Sequence, residues 1–193
     1  MNFSFFKKTA ASGFTLIETM VAISILLVVL TGPLGAVTQS LHISYTARDE
    51  ITASYLMQDA VEFLHNLRDA DSLAGSAWLA TLSQCQNQSC TIDTTRTGAS
   101  IGIIGQNGQP NANVVPGCGD AFLEYDPVSG IYQHGSSVSG DVMSCSIYQR
   151  TFTVVPSATN PGNEAKILVT IAWNNGTISK TSVTTENIFN WQQ

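Results

Sequence analysis

Between Phe14 and Val37 the chain holds a single ionisable side chain, Glu18, inside an otherwise apolar run. As an α-helix that run reaches about 36 Å at about 1.5 Å per residue, enough to cross a hydrocarbon core about 30 Å thick. A carboxylate at the middle of a spanning helix costs about 3 kcal/mol and usually serves a purpose. Glu18 lies one turn inside the run, where snorkelling toward the interface lowers that cost. Taken alone, the residue reads equally as a tolerated interfacial acid and as a functional group.

The residues before it separate those readings. Lys7 and Lys8 precede Gly13, and Phe14-Thr15-Leu16-Ile17-Glu18 follows directly. This segment resembles the class III leader of type IV prepilins and type II secretion pseudopilins: a short basic leader, then Gly-Phe-Thr-Leu-Ile-Glu. The resemblance implies cleavage between Gly13 and Phe14 by a prepilin peptidase on the cytoplasmic side. It also implies N-methylation of the new Phe14 amine by the same enzyme. Glycine suits the cleaved position because its backbone enters a protease site without side-chain obstruction. The new amine is cationic and Glu18 lies four residues on. In the family this pairing between neighbouring subunits sets axial register, and a charge pair is far better tolerated in lipid than two lone charges.

Residues 1–13 are therefore a targeting leader and stand outside the fold argument. Two lysines ahead of the apolar run predict a cytoplasmic N-terminus, with the chain beyond about Val37 translocated. The competing reading is an ordinary secretory signal cut after Ala36. Leu34, two residues before that cut, fits a small-x-small site poorly. Gly32, Pro33 and Gly35 predict a kink or a locally melted segment within residues 14–37, since proline removes a donor and clashes one turn back. A simple end to the membrane helix at this point is the other reading.

Helical periodicity resumes beyond it, over residues 38–71. Tyr45, Ala53, Leu56, Ala60, Phe63, Leu64 and Leu67 fall on one face, and Glu50, Gln58, Glu62, His65, Asn66 and Asp69 on the other. Asp49 breaks the apolar stripe. The second half of one long helix thus needs a cover. Asp69, Asp71, Gly75 and Ser76 end it, and residues 76–82 are expected to form one or two helical turns capped by Ser76.

Residues 72–119 form a connecting region rich in Gly, Asn, Gln, Ser and Thr, read as a long loop with short strands. Gly98, Gly102, Gly105 and Gly108 lack the spacing and strand–helix context of a dinucleotide site and serve as punctuation. Residues 120–193 read as an antiparallel β-meander. Residues 121–125 and 130–133 flank the turn Asp126-Pro127-Val128-Ser129. Further strands are expected over 146–155, 165–173 and 177–185, the last two joined at Asn174-Asn175-Gly176. Ile167, Val169, Ile171 and Trp173 alternate, so one sheet face is buried, and residues 188–191 pack back onto the sheet. A long helix followed by an antiparallel sheet is an α+β class, the sheet wrapping the amphipathic half-helix. The order is also similar to the pilin fold.

Four cysteines, Cys85, Cys90, Cys118 and Cys145, lie on the translocated side, where disulfides persist. Of three possible pairings, Cys85–Cys90 and Cys118–Cys145 each close a loop within one region, and would contribute roughly 2 and 3.5 kcal/mol by loop entropy. Zinc is the rival, but the spacings lack C-x-x-C pairs and His42, His65 and His134 are scattered. No metal and no cofactor is expected.

Composition closes other routes. The net charge is −6 and the charged fraction 11%, and no basic cluster is visible to grip nucleic acid. No H-E-x-x-H, G-x-S-x-G or P-loop is present, so no enzymatic activity is expected. Asp120, Glu124, Asp126 and Asp141 are read as solvated turn acids rather than calcium ligands. Asn87-Gln88-Ser89 and Asn175-Gly176-Thr177 fit the glycan acceptor pattern, but such triplets occur by chance and a bacterial chain would seldom use them.

The resemblance implies a minor pilin of the pilus-modification type. Such a subunit is stored in the membrane, then moved to a cell-surface filament. Its partners would be other pilin subunits, prepilin peptidase, an inner-membrane assembly platform and membrane lipid. The alternatives are a pseudopilin of type II secretion, a competence-pilus subunit, and a membrane-anchored β-domain that never polymerises.

Overall fold

The computed structural model describes residues 13–95, 101–103, 118–119, 121–134, 143–176 and 178–191. Lys7 and Lys8, Gly98, Gly105, Gly108, Asp120, Asp141 and Thr177 lie outside the described residues. The chain divides into two compact units, Met1–Arg48 and Asp49–Gln193.

In the first unit the described residues are almost wholly helical and exposed. The helix α1 spans Leu16–Leu73, with Pro33 inside it. It continues through Gly32, Pro33 and Gly35 without interruption, so the expected local melting is not observed. Pro33 removes one donor, and intact turns on either side suffice to carry the helix across. Hydroxyls that would otherwise be bare in an apolar run fold back onto the helix. Thr19, Ser24, Thr31 and Thr38 donate to the carbonyls of Leu16, Val21, Val28 and Gly35 at 2.7, 2.8, 3.0 and 2.8 Å. Tyr45, placed by periodicity on the apolar stripe, is exposed.

In the second unit the remaining turns of α1 bury Ala53, Leu56, Ala60, Leu64 and Leu67, the i, i+3, i+4 stripe that an amphipathic helix turns to its core. Phe63 packs against that core while half-buried. Asp49 gains its account here. Its backbone carbonyl accepts from Tyr148 Oη at 3.3 Å, and its carboxylate from Asn175 Nδ2 at 3.5 Å. The helix ends in a Schellman motif: Ser76 N–H donates to Asp71 O and Gly75 N–H to Ser72 O, both at 3.1 Å, with Gly75 at φ +69°. Residues 76–82 form turns instead of the expected helical segment, followed by a single 3₁₀ turn at Ser83–Cys85. The Asp71 carboxylate, rather than Ser76, anchors these turns, accepting from Thr81 N at 2.8 Å and Thr81 Oγ1 at 2.7 Å.

Among the described residues, seven strands make one antiparallel sheet: β1 Cys90–Ile92, β2 Ile101–Ile103, β3 Phe122–Tyr125, β4 Tyr132–Gln133, β5 Ser144–Pro156, β6 Glu164–Asn174 and β7 Ser179–Phe189. The last three form the expected meander, in continuous register from Tyr148↔Trp173 to Glu164↔Phe189. Strand β7 runs further than expected, so buried Ile188 is part of the sheet. The other edge of β5 is shared: β3 pairs near Ser144–Gln149 and β1 at Phe152, so the whole is not a simple meander. At the β6–β7 hairpin, Asn174 Oδ1 accepts from Gly176 N–H at 2.8 Å while Gly176 adopts φ +86°, a backbone state natural to glycine.

Alternation decides which face meets the helix. Tyr148, Arg150, Phe152 and Val154 on β5 and Ile167, Val169, Ile171 and Trp173 on β6 are all buried. Two clusters result. One joins Ala60, Leu64 and Leu67 to Phe152, Val154, Ile167, Val169 and Ile188, and the other joins Ala53 and Leu56 to Leu123, Tyr148, Ile171 and Trp173. Each large side chain buried there contributes about 1.5–3 kcal/mol. One long helix packed on an antiparallel sheet is thus the α+β, pilin-like class expected.

Candidate functional site

Thr15 begins α1. Its carbonyl accepts from Glu18 N–H at 3.1 Å and Thr19 N–H at 3.2 Å, and its hydroxyl lies 3.4 Å from Glu18 N. A threonine at this position satisfies donors that the first helical turn leaves open. Glu18 then stands in the first turn, where the helix dipole favours a negative charge. Gly13 and Phe14 precede the helix, and Phe14 is 75% exposed. The next apolar side chains, Leu16, Ile17, Met20, Val21 and onward to Leu41, are also exposed. By length and composition this helix can cross a membrane. An apolar surface on every side of a helix calls for lipid or other helices as its surroundings. A Cβ added to Gly13 would meet nothing within 4 Å, so the local fold does not require glycine there.

Residues 8–32 match the prokaryotic N-terminal methylation motif. The match takes in Lys8, Gly13, Phe14 and Glu18 and ends at Gly32. It supports a type IV pilin or pseudopilin-like protein, and with the N-terminal apolar helix it supports membrane anchoring. No curated protein and no solved structure matches this chain.

Gly13 and Phe14 directly precede α1 and Glu18 lies in its first turn, while the four cysteines lie in the second unit as two bridges. Cys85 is bridged to Cys90 and Cys118 to Cys145, with Cα separations of 5.8 and 5.7 Å. The first bridge closes the turn between the 3₁₀ segment and β1. There Asn87, at φ 56°, donates its N–H to Val154 O at 2.8 Å. The second ties Cys118, ahead of β3, to β5. Among the described residues no group of three His, Cys, Asp or Glu side chains is placed to hold a metal ion.

A second polar centre escapes sequence reading. Arg150, fully buried, sits on β5 between the two core clusters. Nη1 donates to Leu56 O at 3.2 Å and Asp59 Oδ2 at 2.9 Å, and Nη2 to Ile92 O at 2.9 Å and Thr94 Oγ1 at 3.3 Å. Thr94 in turn donates to Asp59 Oδ2 at 2.5 Å. One guanidinium therefore fastens α1, β5 and the end of β1. Burial draws its pKa down, and the charges of Asp59 and Asp93 oppose that. His134 is buried nearby. Burial and then the Arg150 charge hold its imidazole down to about 3, offset in part by a hydrogen bond with the Arg150 backbone. Glu124 is buried too, which corrects its reading as a solvated turn acid. Asp126 does serve a turn: Ser129 Oγ donates to it at 2.5 Å and Val128 N–H at 2.8 Å, which hold its carboxyl below the usual range. The available sequence signal for Arg150 was parity, because it occupies an inward position in the alternation from Tyr148 to Val154.

Proposed function

We propose that this chain is a minor pilin-like subunit of a type IV filament, acting through assembly rather than catalysis. The observation that carries the reading is the methylation motif at the head of an unbroken, fully exposed apolar helix. Prepilin peptidase would cut between Gly13 and Phe14 and methylate Phe14. Open space around Gly13 supports this, because a glycine that the fold does not need suits an outside demand. The new Phe14 ammonium would lie at the positive end of the α1 dipole, an unfavourable place for a cation. A carboxylate offsets that cost, and Glu18 of a neighbouring subunit would do so while fixing axial register. Lys7 and Lys8 would keep the leader cytoplasmic until cleavage, and the two disulfides suit an extracytoplasmic second unit. Subunits would then pass from membrane lipid, through an inner-membrane platform, into a surface filament of packed apolar helices.

Mass spectrometry of the mature N-terminus, from membrane and sheared-surface fractions, tests the proposal. N-methylated Phe14 in both fractions is the expected result. A mature chain starting at Val37 would overturn it, since Glu18 and the assembly helix would be lost. An intact Met1 start would instead leave an anchored domain that never polymerises.

A further inference from the structure

A cleft of about 360 Å³ opens between α1 and the β3–β4 hairpin, lined by Thr52, Tyr55, Leu56, Asp59, Thr94, Thr95, Ile131 and Tyr132. It lies wholly within the second unit and at the low end of the size range of small-molecule sites, about 300–1,000 Å³. Its chemistry is specific. Tyr132 is fixed by its neighbours, with ring centroids 5.0 Å from Tyr125 and 5.5 Å from Tyr148. Tyr55 is 69% exposed and completes the aromatic lining. Between the rings lies Asp59, held through Oδ2 by buried Arg150 and by Thr94. Its Oδ1 accepts nothing from the described residues and is free to face a ligand.

The hydroxyl protons of Thr94 and Thr95 are already engaged. Thr94 donates to Asp59, and Thr95 Oγ1 donates to Asp93 Oδ1 at 2.7 Å. What remains open at Asp59, Thr94 and Thr95 is acceptor capacity. A matching ligand must therefore bring several hydrogen-bond donors together with an apolar face for the tyrosine rings. It needs no charge, because the Asp59 carboxylate is matched by Arg150 at 2.9 Å. Hydroxyl groups around a ring with an exposed C–H face meet these conditions. An anion would face the Asp59 carboxylate at the centre of the lining, and a cation finds that carboxylate already matched by Arg150. The pair Arg150–Asp59 also fixes the carboxylate before binding, which lowers the ordering cost.

We infer that the Tyr55–Asp59–Tyr132 cleft is a binding site for a neutral saccharide. The test uses the full chain in a detergent without sugar headgroups. It is titrated with cellotetraose, chitotetraose and maltotetraose, and in parallel with a galacturonate tetramer and Nα-acetyl-lysine methylamide. Saturation-transfer NMR and calorimetry report binding. At least one neutral tetrasaccharide is expected to saturate a single site, and Tyr55→Ala to weaken it about tenfold. Tyr55 is exposed, so that variant retains the fold. Asp59→Asn, which keeps an acceptor oxygen, is expected to retain measurable binding, whereas Asp59→Leu abolishes it. The inference is overturned if no neutral tetrasaccharide saturates, if Tyr55→Ala leaves the affinity unchanged, or if the acidic or the cationic probe binds more tightly.

Discussion

Arg150 shows how one residue can carry the coherence of a unit. It spends four hydrogen bonds on groups separated from it by 56 to 94 positions in the chain. Two of those groups are buried carbonyls. Replacing Arg150 by Met keeps most of the volume but removes all four bonds, leaving Leu56 O to its helix partner and the half-exposed Asp59 carboxylate to water. The expected loss is about 3 kcal/mol in unfolding free energy, read from urea denaturation followed by tryptophan fluorescence. Lysine in its place is not a rescue, since a point charge cannot match a planar fork with four acceptors. His134 beside it predicts a pH response. Above about 6.5 both folded and unfolded chains hold a neutral imidazole, and His134 has no effect. Between about 6.5 and about 3 the unfolded chain takes up a proton that the folded chain refuses. Stability then falls by about 1.4 kcal/mol per pH unit on His134's account. Denaturation midpoints of wild type and His134→Gln, compared from pH 7 to pH 4, should diverge with that slope, and parallel curves would refute it.

At the scale of elements, what was legible followed local periodicity. The stripe Ala53, Leu56, Ala60, Leu64, Leu67 and the alternation Ile167 to Trp173 are repeats of 3.6 and 2, and both are buried as read. Gly75 and Asp71 at the end of α1 were legible as stop signals because a left-handed closing residue favours glycine. Asp49 and Arg150 were not, since their partners come from Tyr148 and Asn175 in one case and from α1 and β1 in the other. No local window holds both halves of such a contact. The segment 76–82 misled for a related reason. Its composition suits a helix, but the buried Asp71 carboxylate claims Thr81 N–H and hydroxyl, and so draws the chain into turns. Of the N-terminal site, Gly13, Phe14 and Glu18 were readable because the signal is linear. The cleft at Tyr55 and Asp59 was not, because Ile131 and Tyr132 complete it from more than seventy residues away.

On the scale of the molecule, two kinds of stability meet in one helix. The first unit buries no side chain among its described residues: the large apolar side chains from Phe14 to Leu41 are exposed, and hydroxyls fold back onto helix carbonyls. Its free energy of ordering must come from lipid or from neighbouring helices. The second unit owns both core clusters, both disulfides and the Arg150 centre. A chain beginning at Asp49 keeps both core clusters, both disulfides and the Arg150 centre, together with the contacts of Asp49 to Tyr148 and Asn175 and the ion pair of Glu50 with Lys180. It also sheds the exposed apolar surface that requires detergent. Residues 49–193, produced in an oxidising compartment, are expected to be soluble without detergent and to unfold in one cooperative transition. The transition should match, within a few degrees, that of the second unit in the full chain. The four thiols should be unreactive until a reductant is added. Thermal melts with and without reductant check this: reduction removes roughly 2 and 3.5 kcal/mol of loop entropy from the two bridges, enough to lower the midpoint markedly. A fragment that aggregates or melts without a transition would show that the second unit draws its order from residues 1–48 after all.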